Sequence, residues 1–423
     1  MGALLTTCSA PRTPGPADVV LIVIDTLRAD HLSLYGYERA TSPHLDRLAE
    51  DGVTYTRAIS TATWTVPAHG SLFTGYWPSY HGAERVAGNR MLAYPLNPEL
   101  DTLAEILGAR GYYAAGFVGN GTYVSALFGF ARGFAEFTNE GLEHPPTLAR
   151  KVGDWIGAQR DPVFLFVNVL DPHEPYAPPP PLDTRFAEKR ADFGTMITTV
   201  VNERRPLTPE MRAHFVGQYD GEIALSDAAL GTILDRLKAT GRYDDALVIV
   251  TSDHGELLGE HGLAGHGVAP FEPELHVPLV VKYPNQRRAG ERVARRVSTL
   301  AVFATILQTL DIAAPAGIDS RPLDVEHPVW VEDISGAGDR IRVGYDGSYK
   351  VVETGQGATK RRTAYDLAAD PEENHELGDA TALGPLHSSL ATFSQAPRPV
   401  NPAARPVIDA EDAAKLRALG YLE

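Results

Sequence analysis

A single cysteine, Cys8, in 423 residues rules out an intrachain disulfide and any cysteine-ligated zinc or redox site, so core packing, with or without a metal ion, must hold the fold. Long apolar runs are also missing. A membrane-spanning helix needs about 18 or more apolar residues, whereas the most apolar segment, Val19 to Ile24, is short and ends at Asp25. No transmembrane segment is expected. Positive charge is scarce too: 38 Lys+Arg stand against 54 Asp+Glu, a formal charge of -16. That balance opposes counterion release and excludes nucleic acid as a partner. It does not exclude a small anionic substrate, because a metal ion and histidines can make one pocket locally positive.

What is present suits a globular protein: 43% hydrophobic residues and a length that accommodates one large domain plus a smaller one. Strand and helix signals alternate through the first three quarters, the pattern of an α/β protein with a large, mainly parallel sheet sandwiched by helices. The first strand, Asp18 to Asp25, has the continuous β-branched character of a strand buried on both faces. A helix is expected from Pro43 with Ser42 as its N-cap, another over Asp101 to Arg110 stopped by Gly111, and a long one opened by Thr208 and Pro209 and closed by Gly241. Further buried strands are expected over Val163 to Leu170 and Ala246 to Ser252, while Leu182 to Leu207 reads as a polar, aperiodic surface excursion.

Beyond Ala316 short alternating runs such as Tyr349 to Glu353 and Arg362 to Leu367 predict a small antiparallel sheet. The expected organisation is an N-terminal tail over 1–17, the main domain over 18–315, a subdomain over 316–394, and a Pro-rich tail with a terminal helix at Asp409 to Leu419 over 395–423. The opening MGALLTTCSA resembles the end of a bacterial lipoprotein signal, without the basic and full apolar regions such a signal needs. Two alternatives stay open: a periplasmic or membrane-anchored protein lipidated at Cys8, and a cytoplasmic one with an incidental cysteine. Nothing in the sequence sets an oligomeric state.

Three clusters of potential ligands sit where strands end: Asp25, then Asp171 with His173, then Asp253 with His254. Each alone reads as a turn or capping residue. The ends of parallel strands converge on one edge, however, so carboxylates and imidazoles from distant segments can meet at one ion. Between them lies TATWTVPAHGSLFTG, in which a short helix from Pro67 to Thr74 would aim free N–H groups at an anion beside Thr65. A metal touching that hydroxyl would make it nucleophilic; the alternative is that Thr65 only caps the helix.

These segments resemble the sulfatase-like branch of the alkaline phosphatase superfamily. IVIDTLRADHLSLYGY is similar to the family's opening, TVPAHGSLFTG to its Cys/Ser-x-Pro-x-Arg signature, NVLDPHEPYAPP to its Pro-His-x-Pro-Tyr segment, and IVTSDHGELLGEHG to its second metal motif. The resemblance continues through HVPLVVKYP and TAYDLAADPEEN to the closing LRALGYLE. It implies an alkaline-phosphatase-like fold and assigns Asp25, Asp253 and His254 to a divalent metal, with Thr65 as nucleophile and additional ligand. His173 matches a histidine that contacts the transferable group, and His266 stands where many sulfatases have a lysine beside the leaving oxygen, a position suited to a general acid. His261 has no clear counterpart.

Three departures change what the resemblance implies. Threonine cannot mature to formylglycine; the motif arginine is replaced by His69, counted with the catalytic set; and Asn120 stands near the place of a substrate-binding lysine. The pattern resembles the threonine segment of nucleotide pyrophosphatases and phosphodiesterases. Thr26 beside Asp25 thins the oxygen ligand set, which favours Zn or Mn, with Ca or Mg as the harder alternatives. The expected activity is metal-dependent cleavage of a small anionic phosphate or phosphonate ester through Thr65. The alternatives are a sulfatase without formylglycine, a phosphoryl or phosphoethanolamine-type transferase, and a non-catalytic binding protein.

Overall fold

The computed structural model describes residues 17–396, apart from 90–91, 140, 161, 195, 204, 356–358 and 379–382. Cys8 and the helix expected at Asp409 to Leu419 lie outside the described residues. No described helix is long and apolar enough to cross a membrane.

The strands of the main region are β1 (Val19–Ile24), β2 (Val53–Ile59), β3 (Tyr113–Val118), β4 (Glu136–Thr138), β5 (Val163–Val169), β6 (Leu247–Thr251), the short pair β7 (Leu257–Leu258) and β8 (Ala264–Gly265), β9 (His276–Val277), β10 (Leu279–Lys282) and β11 (Glu291–Ser298). The large sheet has the order β11-β2-β10-β6-β1-β5-β3-β4, with β9 on β2. β1 runs parallel to both β5 and β6, and β10 antiparallel to both β6 and β2, so the sheet is mixed. Every residue of β1 is buried because its two faces feed two cores. Val19, Leu21 and Val23 join one; Val20, Ile22 and Ile24 join the other. Side chains alternate along a strand, so a centre strand covered on both sides has to be apolar throughout.

The helices are α1 (Pro43–Glu50), α2 (Thr65–Thr74), α3 (Pro78–His81), α4 (Leu103–Gly108), α5 (Pro145–Ala158), α6 (Met196–Glu203), α7 (Pro209–Ala239), α8 (Glu272–Leu275), α9 (Ala301–Thr309) and α10 (Gly384–Gln395). Leu72 of α2, Leu107 of α4 and Phe303 of α9 pack on one face; Leu48 of α1, Val152 of α5 and Leu230 of α7 pack on the other. α7 starts and stops as its sequence predicts: the Thr208 side chain accepts from the Met211 N–H, and Gly241 takes a positive φ of 69°.

Ser42 and Pro43 take the expected N-cap and first positions of α1, but the Ser42 side chain makes no capping bond; Asp227 of α7 supplies one instead, accepting from the N–H groups of His44 and Leu45 at 2.9 Å each. Two expectations are corrected. α4 begins only at Leu103, where Thr102 and Glu105 form a reciprocal capping box. The segment Leu182 to Leu207 is not aperiodic: it contains α6, whose Ile197 and Val200 are buried. Its apolar face is one turn long, too brief a period to stand out from its polar flanks.

The C-terminal strands β12 (Trp330–Ile334), β13 (Arg340–Asp346), β14 (Tyr349–Thr354) and β15 (Arg361–Asp366) form the expected small antiparallel sheet. One of its faces shares a core with Ile59 and Leu275 of the main region, through Val331, Val343 and Val352. The other is covered by Leu386 and Leu390 of α10.

Candidate active site

Because β1 and β6 are parallel neighbours, Asp25 after one and Asp253-His254 after the other emerge at the same sheet edge. One ligand atom from each of Asp25, Asp253 and His254 lies within 4.8 Å of the others. His254 Nε2 is 3.7 Å from Asp25 Oδ1, 3.5 Å from Asp253 Oδ2 and 3.3 Å from Thr65 Oγ1. The rest of each group is fixed. Asn120 Nδ2 donates to Asp25 Oδ2 at 2.8 Å, the His254 N–H donates to Asp253 Oδ1 at 2.9 Å, and His254 Nδ1–H donates to the Gly255 carbonyl at 2.9 Å. That last bond leaves the Nε2 lone pair facing the carboxylates.

Two carboxylate oxygens, Asp25 Oδ1 and Asp253 Oδ2, are buried here without a hydrogen-bond partner. Burial pushes the Asp25 carboxyl up to about 6, although His173 and Asn120 act in the opposite direction. Asp253 is raised well above the carboxylate range by burial and then by Asp25. Burial, followed by the neighbouring His266, holds His254 well below the imidazole range. Paired buried acids facing a neutral imidazole are a donor set that a divalent ion fits.

Thr65 is not the N-cap of its helix but its first residue, with Trp64 at the N-cap. Pro67 has no N–H and Ala68 already donates to the Trp64 carbonyl at 3.3 Å. The anion cradle is therefore narrower than the sequence suggests, leaving the N–H groups of Thr65 and Val66.

Histidines form one wall. The ring of His266 lies 4.8 Å from that of His173 and 4.7 Å from that of His254. Burial works against a charge on His173, but Asp25, Glu174 and Glu256 outweigh it, and its pKa is raised. His69 lies one helical turn beyond Thr65; its Nδ1 is 3.0 Å from the Thr65 carbonyl and 3.5 Å from Asp253 Oδ2. Burial brings it down to about 4, so it is a neutral ring bracing Thr65 and Asp253. His261 is elsewhere, stacked on Phe271 with ring centroids 3.7 Å apart.

Two supporting residues escaped the sequence reading. Glu256 accepts from His266 Nδ1 at 3.1 Å and so turns the other ring nitrogen towards the site. Asn168 in β5 accepts from the Asn120 N–H at 2.8 Å and fixes the Asn120 loop. For Glu256 the available signal was an acid two residues after His254 in Asp-His-Gly-Glu. The intervening Gly255 has no space for a side chain: a Cβ there would sit 2.0 Å from the Pro273 carbonyl oxygen. Gly255→Ala is expected to cost roughly 2–4 kcal/mol, read as a lowered denaturation midpoint at unchanged m-value. A neutral substitution would show that α8 yields freely.

A mixed sheet between two helical layers, with its site at the strand ends beside a helix N-terminus, is the architecture of ester-cleaving hydrolases of the alkaline phosphatase superfamily. The phosphonate monoester hydrolase of Agrobacterium radiobacter shares it, with a TM-score of 0.73 over 90% of this chain and 95% of that one at 23% identity. The Sulfatase family model matches residues 17–312, and the chain belongs to the sulfatase family. It is 25% identical over 418 residues to the ulvan-active sulfatase of Formosa agariphila, covering 86% of this chain and 78% of that one. It is also 25% identical over 471 residues to the multifunctional alkaline phosphatase superfamily protein PehA of Trinickia caryophylli, covering 88% and 89%.

Proposed function

We propose that this chain hydrolyses phosphate or phosphonate esters, with sulfate esters as a secondary class, through Thr65. The observation that carries the reading is the Thr65 hydroxyl at the first turn of α2, 3.3 Å from His254 Nε2 and beside the unpartnered oxygens of Asp25 and Asp253. A divalent cation held by Asp25, Asp253, His254 and the Thr65 oxygen, Zn or Mn by its mixed donors, would lower the pKa of the threonine hydroxyl and offset charge on the transferring group.

The chain's own groups do the remainder. Thr65 Oγ releases its proton to solvent and bonds to phosphorus as the bond from phosphorus to the leaving oxygen breaks. The free N–H groups of α2 point at the developing charge. His266, oriented by Glu256, protonates the leaving oxygen, with His173 beside it on the transferred group. Water then attacks phosphorus, passing a proton back to His266, while the bond from phosphorus to Thr65 Oγ breaks and that oxygen takes up a proton from solvent as the phosphate or phosphonate leaves. Asn120 holds Asp25, and His69 keeps Thr65 and Asp253 in register.

The test is acid quenching during turnover of an aryl phosphonate monoester, followed by mass spectrometry of the peptide bearing Thr65. That peptide is expected to gain one phosphonyl group. Turnover without any such adduct would overturn the nucleophile assignment, and inertness of metal-loaded protein towards phosphate, phosphonate and sulfate esters alike would favour a binding protein.

A further inference from the structure

Three arginines are buried among the described residues: Arg28, Arg85 and Arg242. Arg28 is paired with Asp30 at 2.7 Å and Glu260 at 3.0 Å, and Arg242 with Asp18 at 2.8 Å. Arg85 differs. It is 3% exposed, and no carboxylate among the described residues is within ion-pair distance. Its five N–H donors make one hydrogen bond, from Nη1 to the Gly267 carbonyl at 3.3 Å, and its buried Nε has no partner. The guanidinium carbon lies 4.6 Å above the Trp64 ring. A permanently charged fork held largely out of water without a counter-ion is stabilised when an anion completes it.

Its position says which anion. Trp64 and Gly267, which meet its guanidinium, immediately precede Thr65 and follow His266. Gly267 also leaves the fork its space: a Cβ there would meet Arg85 Nη2 at 2.5 Å. Arg85 is thereby held against the two chain segments that carry Thr65 and His266. The neighbouring Glu84 is ion-paired with Arg340 of β13 and so fixes the backbone beside Arg85. The transferred group has its own partners in the α2 N–H groups and His173.

We infer that Arg85 binds an anionic substituent, a carboxylate or equivalent acid, on the leaving-group portion of the substrate, and so selects esters of acidic alcohols or phenols. The inference rests on the hydrolase reading above. Its test compares the 4-nitrophenyl and 4-carboxyphenyl esters of phenylphosphonate. Arg85→Met is expected to raise KM for the carboxyphenyl ester about 10- to 100-fold while changing the nitrophenyl ester by no more than about threefold, and Arg85→Lys to recover part of the loss.

Equal losses on both esters in both variants, or an undiminished preference for the carboxyphenyl ester in Arg85→Met, would overturn the assignment. If wild-type protein hydrolyses neither ester, the hydrolase reading fails, and calorimetric binding of 4-hydroxybenzoate decides separately. Weaker binding to Arg85→Met than to wild type by a similar factor would support the Arg85 site, and identical binding, or none to either protein, would refute it.

Discussion

Thr65→Ala is expected to lower kcat/KM towards phosphate and phosphonate esters by at least about three orders of magnitude, even at saturating metal, while leaving the fold intact. The side chain is small and almost wholly buried, and its hydroxyl is 3.3 Å from His254 Nε2. Removing it opens no large cavity and leaves Asp25, Asp253 and His254 in place, so a lost fold would not account for lost activity. Thr65→Ser keeps the attacking oxygen and is expected to remain within about tenfold of wild type, since only a methyl group and some rotamer restriction are lost. The comparison separates nucleophilic from direct-water chemistry. A Thr65→Ala protein with undiminished turnover would mean that water attacks the ester and that Thr65 merely lines the pocket.

The site was legible where chemistry follows from topology. Asp25, Asp253 and His254 stand out because polar residues terminate otherwise apolar strands, and parallel strands bring such termini together. Thr65 stands out because a proline two residues later marks the first turn of a helix. The partners of these residues were not legible, because they depend on contacts between distant segments. Asp227 caps α1 across 182 and 183 residues of sequence. Arg85 reaches Gly267 across 182. Glu256 lies only ten residues from His266, yet the pair meets because β7 and β8 fold the intervening chain back on itself. The fold shows the same division. β1, β5 and β6 announce themselves as apolar runs, interrupted only by Asn168 and Thr251. β11 reads ERVARRVS, an edge strand whose exposed charges conceal its parallel pairing with β2.

Chelation is expected to abolish hydrolysis, and its effect on stability should depend on pH in a defined direction. Without an ion, Asp25 and Asp253 face one another in a buried site, Asp25 pushed up to about 6 and Asp253 also raised, in both cases chiefly by burial. A carboxyl whose pKa is higher folded than unfolded makes the native state the better proton binder. Its contribution to stability is complete below about pH 4 and is lost as pH rises through about 6. For Asp25 alone the loss is on the order of 3 kcal/mol. His254, held well below the usual imidazole range by burial, stays neutral throughout and does not offset this change. Metal-free protein should therefore be less stable at pH 8 than at pH 5 through these groups. A bound divalent ion replaces the protons and removes the penalty. Zn or Mn at about 100 times its Kd should add about 2.7 kcal/mol, and the ion binds more tightly where fewer protons compete. The gain in melting temperature on adding a fixed concentration should accordingly be larger at pH 8 than at pH 5, and Asp253→Asn should flatten the difference. An equal gain at both pH values in wild type would mean that the ion is not held by these two carboxylates.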